Sequence, residues 1–524
     1  MSALALSRAV RRPLVAVSAV AALAAGVSAC GSSSSGAASD GPEQAVPAGA
    51  LVYAEAVVQP SGDEGANAEA LLRKVLRTAD PGAAIVGAFD RAAGDHKVNF
   101  ARDVEPWLGQ KVGAAMTRVS AARENGAGLA VLDSTDDSKA ADSLNALLGG
   151  GTSSARYRDV EVRTARDRTT AGAVAEGHVL VGTPSEVRAG IDVVKGARES
   201  LGGVGRFTRA REASGTGGLG FVYADVRSLF RTAASGAGPA AAMLEPVADT
   251  LPDTVSATLH AESDAFVVDG AAIGGQTTTQ AATGGGAADA LAAVPADSWL
   301  GAGLGDIGKS LGQTLDSLAG AGLGSVGVAQ AEEQVRRATG LDLRNDVLSW
   351  MGNAAVFVEG DAPGSVAGGL IVHSDDPAKS ASAVRHLGRL LHSGSARVSE
   401  LHAPGVDAGW TVRGSGLGQE LLIAAAGDRF IVAVGRRALD DALAAGSTLG
   451  TKPEFRDAAG RLGSDYPTSL WLDLPAVARL VHAFAGGDAD AERAAQTLQT
   501  FGPVAAGSKR DGDVARVKVR VAVP

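Results

Sequence analysis

Asp103-Val-Glu-Pro-Trp107-Leu-Gly109 and Asp346-Val-Leu-Ser-Trp350-Met-Gly352 are one motif written twice. Working outward from it, further pairs return in the same order at an interval of about 245 residues, far longer than any solenoid repeat. Pro47-Ala-Gly-Ala-Leu-Val-Tyr53 returns as Pro295-Ala-Asp-Ser-Trp-Leu-Gly301. Gly128-Leu-Ala-Val-Leu-Asp133 returns as Gly369-Leu-Ile-Val-His373, and Val179–Gly182 as Ile431–Gly435. Phe207 answers to Phe455, and Phe221–Asp225 to Leu470–Asp473. The expectation is a tandem duplication, with a first repeat over 46–274 and a second over 294–524. The low-complexity stretch 275–293 reads as the linker between them.

Each repeat has the same coarse grammar. In the first, a strand (Leu51–Val58) leads to a helix (Asn67–Thr78) and to a short helix ending at Trp107. Strands Lys111–Val119 and Leu129–Asp133 follow, then a helix from Asp137 and a strand pair, Val160–Thr164 with Gly172–Val181. Alternating apolar residues in these runs suit half-buried antiparallel strands. Thr183-Pro-Ser-Glu186 and Thr451-Lys-Pro-Glu454 read as capping boxes, and Pro377 as a first-turn proline. Asp225 and Asp473 read as helix caps. Val255–Ile273 closes the first half as a hairpin, and Val514–Val523 closes the second as a strand. Most strands are joined by short turns rather than helical crossovers, so the fold class is α+β, with mixed, largely antiparallel sheets and packed helices. Trp107 and Trp350 read as core anchors. Ile307–Ala319 and Val328–Ala338 look like helical sequence inserted in the second repeat alone.

The chain has 524 residues, 45% of them hydrophobic, enough for two packed cores. A net charge of −10 and only 4% aromatic residues give no electrostatic or stacking case for a nucleic-acid partner. The single cysteine, Cys30, can form neither an internal disulfide nor a zinc cluster.

Its surroundings explain it better. Arg8, Arg11 and Arg12 precede the apolar run Leu14–Gly26, which has the size of a signal-peptide core and falls short of the roughly 20 residues that cross a bilayer. Small residues and Cys30 follow. The stretch Val27-Ser28-Ala29-Cys30 resembles the bacterial lipoprotein signal, with Val27 where leucine is commoner. That resemblance implies cleavage between Ala29 and Cys30, so residues 1–29 are the signal peptide, and diacylation of the Cys30 sulfur. Two acyl chains suffice for stable anchoring. Residues 30–45 then read as a flexible Ser/Gly-rich tether. Sec export is the default route; Arg11-Arg12 fits the twin-arginine route only loosely.

The chemical lures are weak. Gly303-Leu-Gly-Asp-Ile-Gly308-Lys309-Ser310 has the letters of a phosphate loop, in which amides would wrap phosphates, Lys309 would reach them and Ser310 would hold magnesium. The corresponding stretch of the first repeat has no such loop, and glycine is frequent throughout. Gly322–Gly327 matches the dinucleotide pattern but follows a helix, not a strand. His373, His386, His392 and His402 crowd the second half without metal-ligand spacing. Asp136-Asp137 and Asp375-Asp376 recur as a shared turn and cap. These readings assign no catalytic, cofactor-binding or metal-binding residue.

The doubled opening strand, the Asp-Val-x-x-Trp corner and the Leu304–Leu311 run together resemble a bacterial family known as domain of unknown function 3352. Its members are exported or membrane-anchored, many of them in actinobacteria, and the resemblance brings no catalytic residues. The expected protein sits on the extracytoplasmic face of the cell membrane, held by its lipid anchor. Its expected role is non-enzymatic binding or scaffolding, with a protein or apolar ligand as partner. The alternatives are a carrier holding an apolar ligand in a groove between the repeats, and an envelope hydrolase with an unrecognised site.

Overall fold

The computed structural model describes residues 41–93, 99–118, 127–235, 248, 251–275, 285–320, 325–391, 397–414, 419–444 and 446–524. The signal peptide, Cys30, His392 and Gly322 lie outside the described residues. The chain forms two units that divide at Gly275 and Gln276.

The first unit contains β1 (Val52–Val57), β2 (Leu108–Arg118), β3 (Ala127–Ser134), β4 (Ser153–Tyr157) and β5 (Val160–Thr164). It continues with β6 (Ala171–Ala175), β7 (His178–Gly182), β8 (Gly220–Asp225), β9 (Thr254–Glu262) and β10 (Ala265–Ile273). Their pairings run β4-β5-β6-β7-β3-β2-β1-β8-β9-β10, all antiparallel.

The second unit contains β11 (Leu300–Leu304), β12 (Met351–Glu359), β13 (Ala367–Ser374), β14 (Arg397–Glu400) and β15 (Ala408–Arg413). It ends with β16 (Leu421–Ala426), β17 (Arg429–Val434), β18 (Thr468–Leu472), β19 (Val504–Asp511) and β20 (Val514–Ala522). The order is β14-β15-β16-β17-β13-β12-β11-β18-β19-β20, again antiparallel throughout. Strand for strand, the order is that of the first unit. Even the isolated bridges correspond, Pro47 to Ser200 and Pro295 to Thr448. The class is α+β, as the short connections require.

The Trp corner recurs atom for atom. Trp107 donates its indole N–H to the Asp103 carbonyl at 2.7 Å, and Trp350 donates to Asp346 at 2.8 Å. The amide of Thr135 then donates to the Trp107 carbonyl and that of Asp375 to the Trp350 carbonyl. Both indoles are buried, as an amphipathic ring with a satisfied N–H allows. Asp136 and Asp376 cap the helices that follow, each accepting from the amide three residues on. Asp225 and Asp473 do the same for theirs.

Several boundaries differ from the sequence reading. The helices Ile307–Gly320 and Ser325–Thr339 are not an insertion, because Gly62–Leu76 and Pro81–Ala93 occupy the same place between the first strand and the Trp corner. The Ala/Gly-rich sequence of Pro81–Ala93 hid that second helix. Gly172–Val181 is two strands, since Glu176 and Gly177 both take positive φ and turn the chain, as a tight hairpin demands. Within the stretch read as linker, Gly285–Ala292 is a helix, with Ala287 and Leu291 buried. The end of the tether is folded too: Pro42–Ala45 form a 3-10 turn, and Ser200 donates to the Gln44 side chain at 2.8 Å. The first capping box is half made: Thr183 caps its helix, accepting from the Glu186 amide at 3.4 Å, but the Glu186 side chain turns toward Thr117 and Arg118. At the second, Lys452 stands at the cap without a side-chain bond.

Candidate functional site

In the first unit, β2 ends at Thr117 and Arg118 beside the helix Pro184–Val194, and the Pro47–Gly49 loop is pinned nearby by its bridge to Ser200. These elements frame an open pocket of about 720 Å³, lined among others by Arg118, Tyr157, Glu186, Arg188, Asp192 and Arg198. Two buried carboxylates organise it. Glu186 accepts from the Thr117 hydroxyl at 2.7 Å and from Arg118 at 2.7 Å. Asp192 accepts from the Tyr157 hydroxyl at 2.8 Å and from Arg158 at 2.5 Å, with Arg198 at 3.3 Å. Burial pushes the Asp192 carboxyl up, but the bonds from Tyr157 and Arg158 and the charge of Arg198 outweigh it and hold it below the usual carboxylate range. Arg188 lies over the Tyr157 ring at 5.6 Å and has no carboxylate partner among the described residues.

The same place in the second unit holds one arginine among three carboxylates. β-sheet register aligns Thr117 with Glu359, because Met116 faces Val52 as Val358 faces Leu300. Glu359 is fully buried, and neither carboxyl oxygen has a hydrogen-bond partner among the described residues. Arg437 approaches it at 3.8 Å while also pairing with Asp297 and Asp441. Burial, with the neighbouring charge of Asp441, raises the Glu359 carboxyl from 4.5 to about 7.

A third feature is shared by both units. Val52, Ala54, Met116 and Val222 point to one face of the first sheet, as their cross-strand pairing shows. Met116 is 38% and Val222 49% exposed. On the second sheet Leu300, Ala302, Val358 and Leu470 stand at the equivalent positions, and Val356 on the same face is 39% exposed where its counterpart Ala114 is buried. An antiparallel sheet that faced only water would alternate to polar residues here.

The other side of the first sheet carries a polar network that sequence reading missed. Glu55 accepts two bonds from Arg211, at 2.8 and 2.7 Å, and a third from the Tyr53 hydroxyl at 2.8 Å. Burial raises Glu55, but the Arg211 bonds prevail and its carboxyl is lowered. Gly301 and Gly303 stand where Tyr53 and Glu55 do, and there the helix Gly285–Ala292 packs against bare backbone. Only alignment of the two halves shows that Glu55 replaces a glycine.

The sequence lures resolve into packing. In Gly303–Ser310 the glycines are close approaches: a Cβ on Gly303 would meet the Ala287 carbonyl, and one on Gly308 the Leu348 carbonyl. Lys309 pairs with Asp306 rather than reaching over the loop. Gly308-Lys309-Ser310-Leu311-Gly312 also has the letters of a nucleophile elbow. Ser310 sits inside a helix, however, and among the described residues no histidine bonds it. His373 meets Asp428 at 3.5 Å, His386 bonds the Ser382 carbonyl and His402 lies near Glu400, so these do not converge. Among the described residues there is no group of three or more His, Cys, Asp or Glu that could hold a metal ion. Nor, among the described residues, is any helix long and apolar enough to cross a membrane.

A family model described as "Protein of unknown function (DUF3352)" matches residues 85–522. No curated protein matches the chain. Solved structures of TP0453 are similar in part. Crystal form I shares 12% identity over 46% of this chain and 81% of that one, with a TM-score of 0.27. Crystal form III shares 13% over 46% and 82%, at 0.26. Likenesses this slight carry no functional argument.

Proposed function

The chain belongs to the DUF3352 family, and from that premise we propose that it is an exported binding protein, lipidated at Cys30 and tethered to the extracytoplasmic face of the cell membrane. Its two units are read as products of a tandem duplication. Each holds an apolar ligand, of the acyl-chain class, against the half-exposed strip of its sheet. The observation that carries this reading is the strip itself, apolar on the corresponding face of both sheets and half-exposed at Val222 and Met116 in one and at Val356 in the other. Ligand sites are mostly apolar with few polar groups, and the strip fits that description. The role is non-enzymatic: in the arginine-lined pocket each buried carboxylate is tied to arginine, which suits binding rather than proton transfer.

The test is mass spectrometry of lipids that co-purify with the detergent-extracted protein, with Val222→Asp and Val356→Asp alongside the parent chain. A stoichiometric apolar compound, depleted in the variants, is the expected result. A parent protein that carries no apolar compound, or variants that keep their full load, would sink the reading.

A further inference from the structure

The apolar strip leaves the pocket beside the helix Pro184–Val194 without a task. We propose that this pocket binds a phosphate-bearing anion, independently of any ligand on the sheet. The guanidinium groups of Arg118, Arg188 and Arg198 line it. Arg118 and Arg198 lean on buried carboxylates, yet remain 66% and 58% exposed. Each therefore has unused donors facing solvent, since a guanidinium carries five. Arg188 has the Tyr157 ring as its companion and no carboxylate. The remaining lining acid, Glu199, is exposed to solvent, where its charge is largely screened. Arginine forks match the oxygens of phosphate bidentately, and about 720 Å³ is in the range of small-molecule pockets.

The fold itself does not ask for these arginines. At the equivalent place the second unit has Arg437 among Asp297, Glu359 and Asp441, and keeps the same strand order. Gly49 stands where the second unit has Asp297, so the first pocket lacks the counterpart of that acid, and of its lining carboxylates Glu186 and Asp192 are already tied to arginine.

Two soluble probes distinguish the source of the phosphate. Inorganic pyrophosphate stands for a free anion, and glycerophosphoglycerol for a phospholipid headgroup. Calorimetric titration of the detergent-extracted full chain is expected to show saturable binding of at least one. The tighter probe names the source. Arg188→Ala is expected to weaken that binding about tenfold or more without changing thermal unfolding, because Arg188 is exposed. Arg493→Ala, on an exposed helix of the other unit, is expected to leave it unchanged. Absence of binding by both probes overturns the proposal, as does binding that Arg188→Ala does not weaken or that Arg493→Ala weakens equally.

Discussion

Trp107 donates its indole N–H to the Asp103 carbonyl, and the bond closes the turn that launches β2. Trp350 closes the matching turn before β12 through Asp346. Removing the donor while keeping an aromatic ring leaves a carbonyl short of a partner, which costs about 1–3 kcal/mol. Trp107→Phe and Trp350→Phe should each lower stability by that amount in urea unfolding. Two variants as stable as the parent chain would show that the corner does not depend on these bonds.

Arg211 neutralises Glu55 in the interior of the first unit, over the ring of Phe221 at 4.4 Å. Arg211→Met should cost on the order of 3 kcal/mol, because it leaves a buried carboxylate with only Lys111, at 3.6 Å, as counter-charge. Adding Glu55→Gln should restore part of the loss, since a neutral amide is cheaper to bury. Equal stability of the single and double variants would argue against the pairing as the cause.

Glu359 makes the second unit sensitive to pH. Its folded pKa, about 7, lies above the ordinary 4.5, so the folded state holds the proton more tightly than the unfolded one. The resulting contribution is full below about pH 4.5, falls as pH rises and is lost above about pH 7. Its size is on the order of 3 kcal/mol. Glu359→Gln should flatten the fall in stability between about pH 4.5 and 7, the interval between the unfolded and folded values of this carboxyl. A variant with the parent's pH profile would assign the dependence elsewhere.

Gly308 and Lys309 separate packing from phosphate chemistry. Gly308→Ala should destabilise by more than about 1 kcal/mol, because its Cβ meets backbone at Leu348. Lys309→Ala and Ser310→Ala should stay within about 0.5 kcal/mol, and neither should alter nucleotide binding, measured with a fluorescent ATP analogue. ATP binding abolished by Lys309→Ala would restore the phosphate-loop reading.

Cys30→Ser tests the anchor. The variant should appear in the soluble fraction or retain its leader, read by membrane fractionation and intact mass. A cleaved variant that still pellets with membranes would remove the lipid from the account.

Much of the architecture was legible because it depends on local pattern. The Trp corners, the caps at Asp136, Asp376, Asp225 and Asp473, and the closing hairpin of the first unit all follow from residues close in sequence. The pairing of distant elements was not. That Pro81–Ala93 answers to Ser325–Thr339 is visible only from where both sit between the first strand and the corner, since their sequences share no marker. The pocket escaped notice for the same reason: Thr117, Glu186 and Asp192 meet only once β2 and the helix after β7 lie side by side. By itself the sequence determined the antiparallel α+β class and the expectation of two like halves, because alternation, capping and turn chemistry act over a few residues. Tertiary structure alone decided that one equivalent position holds Thr117 in an arginine-lined pocket and the other a buried Glu359. Burial and neighbouring charge belong to the folded chain, and they set what each carboxylate does.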